Sequence, residues 1–404
     1  MSGYNDFLID CPNATGDLAR AISASLPQKQ PGLAIGAAIS FFSLIKCGKL
    51  KSPQGVEPNM YICTVAESGS GKSMAQRILQ NLLIDSGKDS LLLGKPASDS
   101  GMLKALSHQP IRLCIWDEFG LALGELATSQ SSYRALILSA MMDLFSAAGR
   151  KYIGKEYATE QRLDVENPFL NVFAASTPSR FFQALDPNFV LDGFLSRWLL
   201  FFCHEEGLEL QRPAPFIVTD KVHDQIDKMI EWPPCPTGNM FDVYDKRSVM
   251  VESAAVMESK LSDFDYLFTA AKDPIERIFY SRAKELFLKL CVILGDGIKV
   301  SNSVVEWSSQ FVGYMTKESL RYCRSRLGED KKYSTRDRFL DIVPYDKWIT
   351  HQELTMRSYR LNLSKSQRND LIDDLVESGY WAIDRQHVQS SNKKTTFYKR
   401  IRLS

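Results

Sequence analysis

Ala66 to Ser73 read A-E-S-G-S-G-K-S. The run before them, Met60-Tyr61-Ile62-Cys63-Thr64-Val65, is apolar and β-prone. The run after them, Met74 to Leu83, has helical spacing. Strand, glycine-rich loop and helix in that order are the context in which such a string cradles phosphate. Gly69 and Gly71 let backbone N–H groups close around phosphate oxygens. Lys72 brings a point charge to the β- and γ-phosphates. Ser73 offers a hydroxyl to Mg²⁺, and the helix N-terminus adds partial positive charge. ATP and Mg²⁺ are the expected ligands. The expected contact stretch is Glu67, Ser68, Gly69, Ser70, Gly71, Lys72, Ser73 and Met74. The usual first glycine is here Ala66, which serves if that turn needs no positive φ.

A second apolar strand, Ile111 to Trp116, ends in Asp117-Glu118. An apolar run before two acids is common alone. About 45 residues after a phosphate loop it gains meaning: Asp117 helps hold the Mg²⁺ shell, and Glu118 polarises the attacking water. A third strand ends in Phe173-Ala174-Ala175-Ser176-Thr177-Pro178. A polar side chain there sits beside the strand of Asp117 and can orient the water. Thr177 is the first choice and Ser176 the second; either could instead be an ordinary helix cap. Gly193-Phe194-Leu195-Ser196-Arg197-Trp198 precedes a fourth apolar strand. In a ring ATPase an arginine such as Arg197 reaches the neighbour's γ-phosphate; elsewhere it would make a structural ion pair.

The chain has 404 residues, 44% apolar content and a formal net charge of +1. That allows a large core but excludes a generic polyanion binder. No apolar run reaches the length of a membrane span. The eight cysteines form no C-x-x-C pair and the five histidines show no metal spacing, which suits a reduced, cytoplasmic protein without a zinc site. Helical spacing marks Gly16–Leu26, Gly32–Ile45 and Ile275–Ile293. Strand candidates at 60–66, 111–117, 169–176 and 198–203 alternate with helices, so an α/β fold with a mostly parallel sheet is expected.

Gly149-Arg150-Lys151-Tyr152-Ile153-Gly154-Lys155 is a basic stretch between the second and third strands. Lys151, Lys155 and Arg162 could track nucleic-acid phosphates and Tyr152 could stack on a base; the alternative is an exposed basic loop. Residues 331–404 hold about 15 basic residues against 9 acidic ones, a local positive excess. Helices are expected at Thr335–Ile342, Gln352–Arg357 and Lys365–Ser378, with a short turn at Ile349-Thr350 and two strands around Ser390-Ser391-Asn392. Lys365 and Arg368 open the third helix and suit phosphate or groove contact. Lys393 and Lys394 would lie at the tip of a wing. Such modules also bind proteins.

The four motifs together resemble those of AAA+ ATPases. A-A-S-T-P and F-L-S-R-W are similar to the sensor-1 and arginine-finger strings of MCM-like helicases. Pro58-Asn59-Met60-Tyr61, Asp117 to Gly120 and Asp192 to Arg197 are similar to the pattern of a family of phage and mobile-element replication ATPases often found with primases. The resemblance covers roughly 30–330. It implies Lys72, Ser73, Asp117 and Glu118 acting in cis, Thr177 as sensor 1 and Arg197 as the finger in trans. It implies a sensor-2 arginine in the helical lid, Arg277 or Arg282, and a basic channel hairpin at 151–165. Thr177 stands where asparagine is usual. The implied layout is a helical N-terminal extension (1–57), an AAA+ P-loop core (58–210), a helical lid region (211–330) and a C-terminal winged helix (331–404).

Three functions are therefore expected, in descending order. The first is a ring-forming helicase, a hexamer moving on single-stranded or forked DNA, with a primase or other replication protein as partner, in the cytoplasm of a bacterial host. The second is a helicase loader or protein-remodelling ATPase. The third is a nucleotide-gated DNA-binding regulator, against which the acid pair argues, because a pure switch has less need of a water-activating glutamate.

Overall fold

The computed structural model describes residues 7–8, 10–128, 132–156, 162–185, 190–203, 211–231, 247–327, 336, 339–340, 342–344, 347–361, 363–377, 380–387 and 394–400. The chain divides into two compact units, residues 2–320 and 321–404.

The first unit is α/β. Helices α1 (Asn13–Ser25) and α2 (Pro31–Lys46) precede strand β1 (Tyr61–Val65) and helix α3 (Lys72–Asp85). Then come β2 (Leu92–Leu93), α4 (Asp99–His108), β3 (Ile111–Trp116), α5 (Phe119–Thr128) and α6 (Ser132–Ser146). A ribbon of β4 (Lys151–Tyr152) and β5 (Val165–Glu166) leads to β6 (Phe169–Ser176), α7 (Pro178–Ala184) and β7 (Trp198–Phe202). Five of these strands form one parallel sheet in the order β2-β3-β6-β1-β7. Every residue of β1, β6 and β7 is buried, which explains their near-continuous apolar runs: parallel strands are covered on both faces. The fifth strand, β2, was not among the expected ones; two residues carry no readable period.

The segment 1–57, expected as a helical extension packed on the core, supplies the core's central helix. All sixteen residues of α2 are buried, and it packs on β1, β3, β6 and β7. A helix apolar all round belongs in such a place. Gly36 permits the approach: a Cβ there would lie 3.3 Å from both Ile62 and Phe173. The helix ends on Lys46, whose buried ammonium donates to the carbonyls of Val292 (3.1 Å), Ile293 (2.8 Å) and Gly295 (2.7 Å).

Those carbonyls close the C-terminus of α10 (Pro274–Leu294). Helix α9 (Ala254–Ala270) and strand β9 (Lys299–Val300) pack on α10; this unit also holds α8 (Asp220–Glu231), β8 (Met250–Val251) and the start of α11 (Asn302–Leu327). An aspartate N-cap and Pro274 start α10: Asp273 accepts from the Ile275 N–H at 2.9 Å.

The second unit carries β10 (Ile349–Thr350), α12 (His351–Arg357), α13 (Lys365–Glu377), β11 (Trp381–His387) and β12 (Lys394–Arg400). The three strands form an antiparallel sheet, β10-β12-β11. Ile349-Thr350, expected as a turn, is instead a two-residue strand paired with Tyr398 and Phe397. Thr350 then caps α12 in a reciprocal capping box with Glu353. Phe339, Ile349, Leu354, Leu375, Trp381 and Tyr398 share the core. No helix among the described residues is long and apolar enough to cross a membrane.

Candidate nucleotide site

Strand β6 lies between β1 and β3, so the ends of these three strands form one edge. Val65 pairs with Ser176, and the Ala66 N–H donates to the Ser176 carbonyl at 3.0 Å. Ala66 is absent from the positive-φ residues, so alanine meets that position's needs. Gly69 (φ +84°) and Gly71 (φ +100°) do not allow a side chain without strain. A Cβ on Gly71 would also stand 3.0 Å from Pro27, which underlies the loop. Gly71 is the N-cap of α3, whose first turn holds no acid, so the helix end keeps its partial positive charge.

Lys72 is folded back on its own loop, donating to the carbonyls of Ala66 (2.6 Å) and Glu67 (2.7 Å). Burial lowers its pKa, and the charges of Glu118, Asp117 and Glu67 oppose that shift. The acid pair is thus close enough to be felt at the ammonium. Ser70 is buried with a hydroxyl that lacks a partner; Ser68, Gly69 and Ser73 are exposed, and Glu67 and Met74 are half-buried.

Asp117 follows β3, and its Oδ1 accepts the Glu118 N–H at 3.0 Å. Glu118 has φ +56°, rare for a residue with a long side chain, and such strain clusters at functional positions. The Glu118 carbonyl then accepts from Leu121 and Ala122, starting α5. Gly120 fixes the crossing of α5 over α7: a Cβ there would lie 2.3 Å from Ser176 Oγ and 2.7 Å from the Phe181 nitrogen. Of the two sensor candidates, Ser176 is wholly buried and donates to the Thr177 carbonyl at 3.1 Å. Thr177 is half-buried, with Oγ1 3.5 Å from Ser179 Oγ. It leaves the sheet between the phosphate loop and the acid pair.

Arg197 lies elsewhere. Tyr61, the first residue of β1, pairs with Trp198, the first of β7. Arg197 therefore sits at the opposite edge of the sheet from the phosphate loop, about 15 Å away at strand rise. It donates to the Gly193 carbonyl at 2.6 Å, and its buried Nε has no partner. Burial lowers its pKa, assisted by the charge of Arg282 and opposed by Glu285. Arg282, paired with Glu285 at 2.8 Å, thus belongs to the Arg197 edge. Arg277 instead stands 5.8 Å from the ring of Phe268.

The basic hairpin forms a two-stranded ribbon. Its two strands are present, with 157–161 outside the described residues. Tyr152 is buried at 6% exposure and is not presented to a base. Lys151 pairs with Glu166 (2.8 Å) and Asp164 (3.5 Å). Lys155 pairs with buried Asp99 (2.9 Å). Arg162 pairs with Glu156 (2.5 Å) and Asp164 (2.8 Å). Lys151, Lys155 and Arg162 are thus each paired within the chain.

In the second unit Lys365 is exposed at the start of α13. Arg368 folds inward, toward Thr355 Oγ1 and the Leu363 carbonyl, each 3.4 Å away. The exposed side of α13 also shows Asp370, Asp373, Asp374 and Glu377. Lys393 lies outside the described residues; Lys394 begins β12.

Three residues at the site carried no signal in the sequence. Lys95, beyond the short β2, donates to the Asp117 carbonyl at 3.1 Å. Pro27 supports Gly71 across a separation of 44 residues. Cys203 feels the charge of Lys72, yet burial pushes its thiol up to about 12. Among the described residues no three His, Cys, Asp or Glu side chains converge on a metal position. The oxygen donors at this edge, the Ser73 hydroxyl and the Asp117 carboxylate, are of the kind Mg²⁺ takes, with few protein ligands. No family model matches the chain, and no curated protein matches it significantly.

Proposed function

We propose that this chain is an AAA+ ATPase that assembles as a six-membered ring and moves on single-stranded DNA in the replication of a phage or mobile element. The observation that carries this reading is the shared edge: phosphate loop, acid pair and Thr177 on three neighbouring strands, with Arg197 on the opposite edge. An arginine so far from its own phosphate loop can serve hydrolysis only at another subunit's site.

Lys72 leaves the Ala66 and Glu67 carbonyls for the phosphates of ATP. The N–H groups of 69–73 cradle the phosphate oxygens, and the orphaned Ser70 hydroxyl gains a partner. Ser73 and Asp117 would hold Mg²⁺, which neutralises phosphate charge. Glu118, held in its strained backbone, takes the proton of the attacking water, and Thr177 orients that water. Arg197 of the neighbouring subunit stabilises charge on the γ-phosphate. The C-terminal unit, a winged helix in this reading, is a partner-binding module.

A helicase loader or protein-remodelling ATPase is the second reading. The internally paired cations of the hairpin favour it. ATP hydrolysis with and without single-stranded DNA, alongside Glu118→Gln and with particle mass followed by light scattering, tests both. DNA stimulation in a ring-sized particle supports the motor. Hydrolysis indifferent to DNA, without strand displacement, supports the loader.

A further inference from the structure

Lys289 is buried to 1% exposure inside α10, a position where an ammonium is costly unless several groups hold it. Burial lowers its pKa, and the charges of Glu285, Cys47 and Glu57 oppose the shift. What holds it falls into two sets. On one side is Glu285, one turn earlier, whose Oε1 lies 3.6 Å from Nζ. The other oxygen of Glu285 holds Arg282 at 2.8 Å, and the charges of Arg282 and Glu285 both act on Arg197. Gly193, to which Arg197 is bonded, faces Ile278 of the same helix.

On the other side is the root of the β4–β5 hairpin. Lys289 donates to the Asn59 side chain at 2.6 Å and to the Glu57 carbonyl at 3.0 Å. It lies 4.3 Å from the ring centre of Phe145, at the end of α6. Asn59 donates to the Phe145 carbonyl at 3.2 Å. The Glu57 carboxylate, paired with Arg247 at 2.6 Å, packs against Gly149, where a Cβ would come within 2.5 Å of it. Gly149 has φ +70° and stands two residues before β4. One buried ammonium thus lies between the Glu285 carboxylate, on the helix that faces Gly193, and the residues packed at the joint from which the hairpin springs.

We propose that Lys289 is a positioning residue that ties Arg197 to the hairpin, through Glu285 on one side and Phe145, Asn59 and Glu57 on the other. The inference rests on the reading of Arg197 as a finger for a neighbour's phosphate. In the conformation described here Arg197 is bonded to Gly193. To engage a neighbour's phosphate it must release that carbonyl, and the local field of Arg282 and Glu285 changes with it. Lys289 passes the change to the hairpin root because its ammonium holds the Asn59 side chain and the Glu57 carbonyl, whereas the Glu57 carboxylate has Arg247 as well. Contiguity alone does not establish coupling; the test asks for the coupling itself.

Two variants isolate it. Lys289→Met removes the charge and keeps the length. Glu285→Gln keeps the shape at a partly exposed position and serves if the first variant folds poorly. Hydrogen–deuterium exchange of the full chain is followed with and without a slowly hydrolysed ATP analogue. In the wild type, nucleotide should protect the phosphate loop and alter exchange at 150–156 and 162–167 by severalfold. In both variants the phosphate-loop protection should persist and the hairpin response should fall to none. Any stimulation of turnover by single-stranded DNA should fall to about onefold in both variants. A hairpin response that survives intact in both variants overturns the proposal, as does a wild-type hairpin that ignores nucleotide. A wild type whose hairpin responds to nucleotide but whose turnover ignores DNA defeats the motor reading and leaves the role of Lys289 standing.

Discussion

At the residue scale the site was legible where chemistry prescribes a residue type within a short run. Lys72, Asp117 and Glu118 fall in that class, since the proposed roles at phosphate, metal and water each demand one kind of group. The strain at Glu118 was not legible, because nothing in the letters D-E-F-G announces φ +56°. Nor was the pairing of Lys155 with Asp99 across 56 residues: a charge run shows that cations exist, not which acids face them. The two loop glycines provide a test. Both need positive φ, which costs a side chain about 1–2 kcal/mol, but only Gly71 also has Pro27 at 3.0 Å. Gly71→Ala should therefore lower the melting temperature further than Gly69→Ala, and Pro27→Ala should recover part of that difference. Equal losses, measured by calorimetry without nucleotide, would show that Pro27 gives way freely.

At the element scale the long segments were readable and the short ones were not. Periodicity marked α10 and the buried runs marked β1, β3, β6 and β7, because each repeats its signal over several residues. β2 and β10 have two residues each and exist only through their partners. The join between α2 and α10 was equally silent, yet it yields a pH dependence. Lys46 is lowered from 10.5 to about 7 by burial, with Asp296 opposing. Between pH 7 and 10 the unfolded chain then binds more protons at this residue than the folded one, so stability rises with pH. Urea unfolding at pH 7 and pH 9.5 should show that rise in the wild type and a smaller one in Lys46→Met. An unchanged slope would mean that the three carbonyls hold the ammonium charged throughout.

At the scale of the whole molecule, the phosphate loop and Arg197 stand at opposite edges of one sheet; in the proposed ring they would serve two different sites. Arg197→Ala and Glu118→Gln should each abolish most turnover, by about 10²–10⁴-fold for the base, while ATP binding persists. Mixed in equal amounts and allowed to exchange, the two inactive proteins should recover activity. About one interface in four then joins an intact Glu118 to an intact Arg197. A mixture as silent as its parts would refute catalysis shared between subunits. The placing of α2 has a consequence of another kind. Synthesis delivers this helix ahead of every strand it packs on, and β7 is complete only at Phe202, more than 150 residues later. At about 5–20 residues per second, the nascent chain carries an all-round apolar helix without its sheet for roughly 8–30 s. That interval is a demand on the ribosome's chaperones, and it makes expression in a chaperone-poor host an aggregation risk that the finished fold does not reveal.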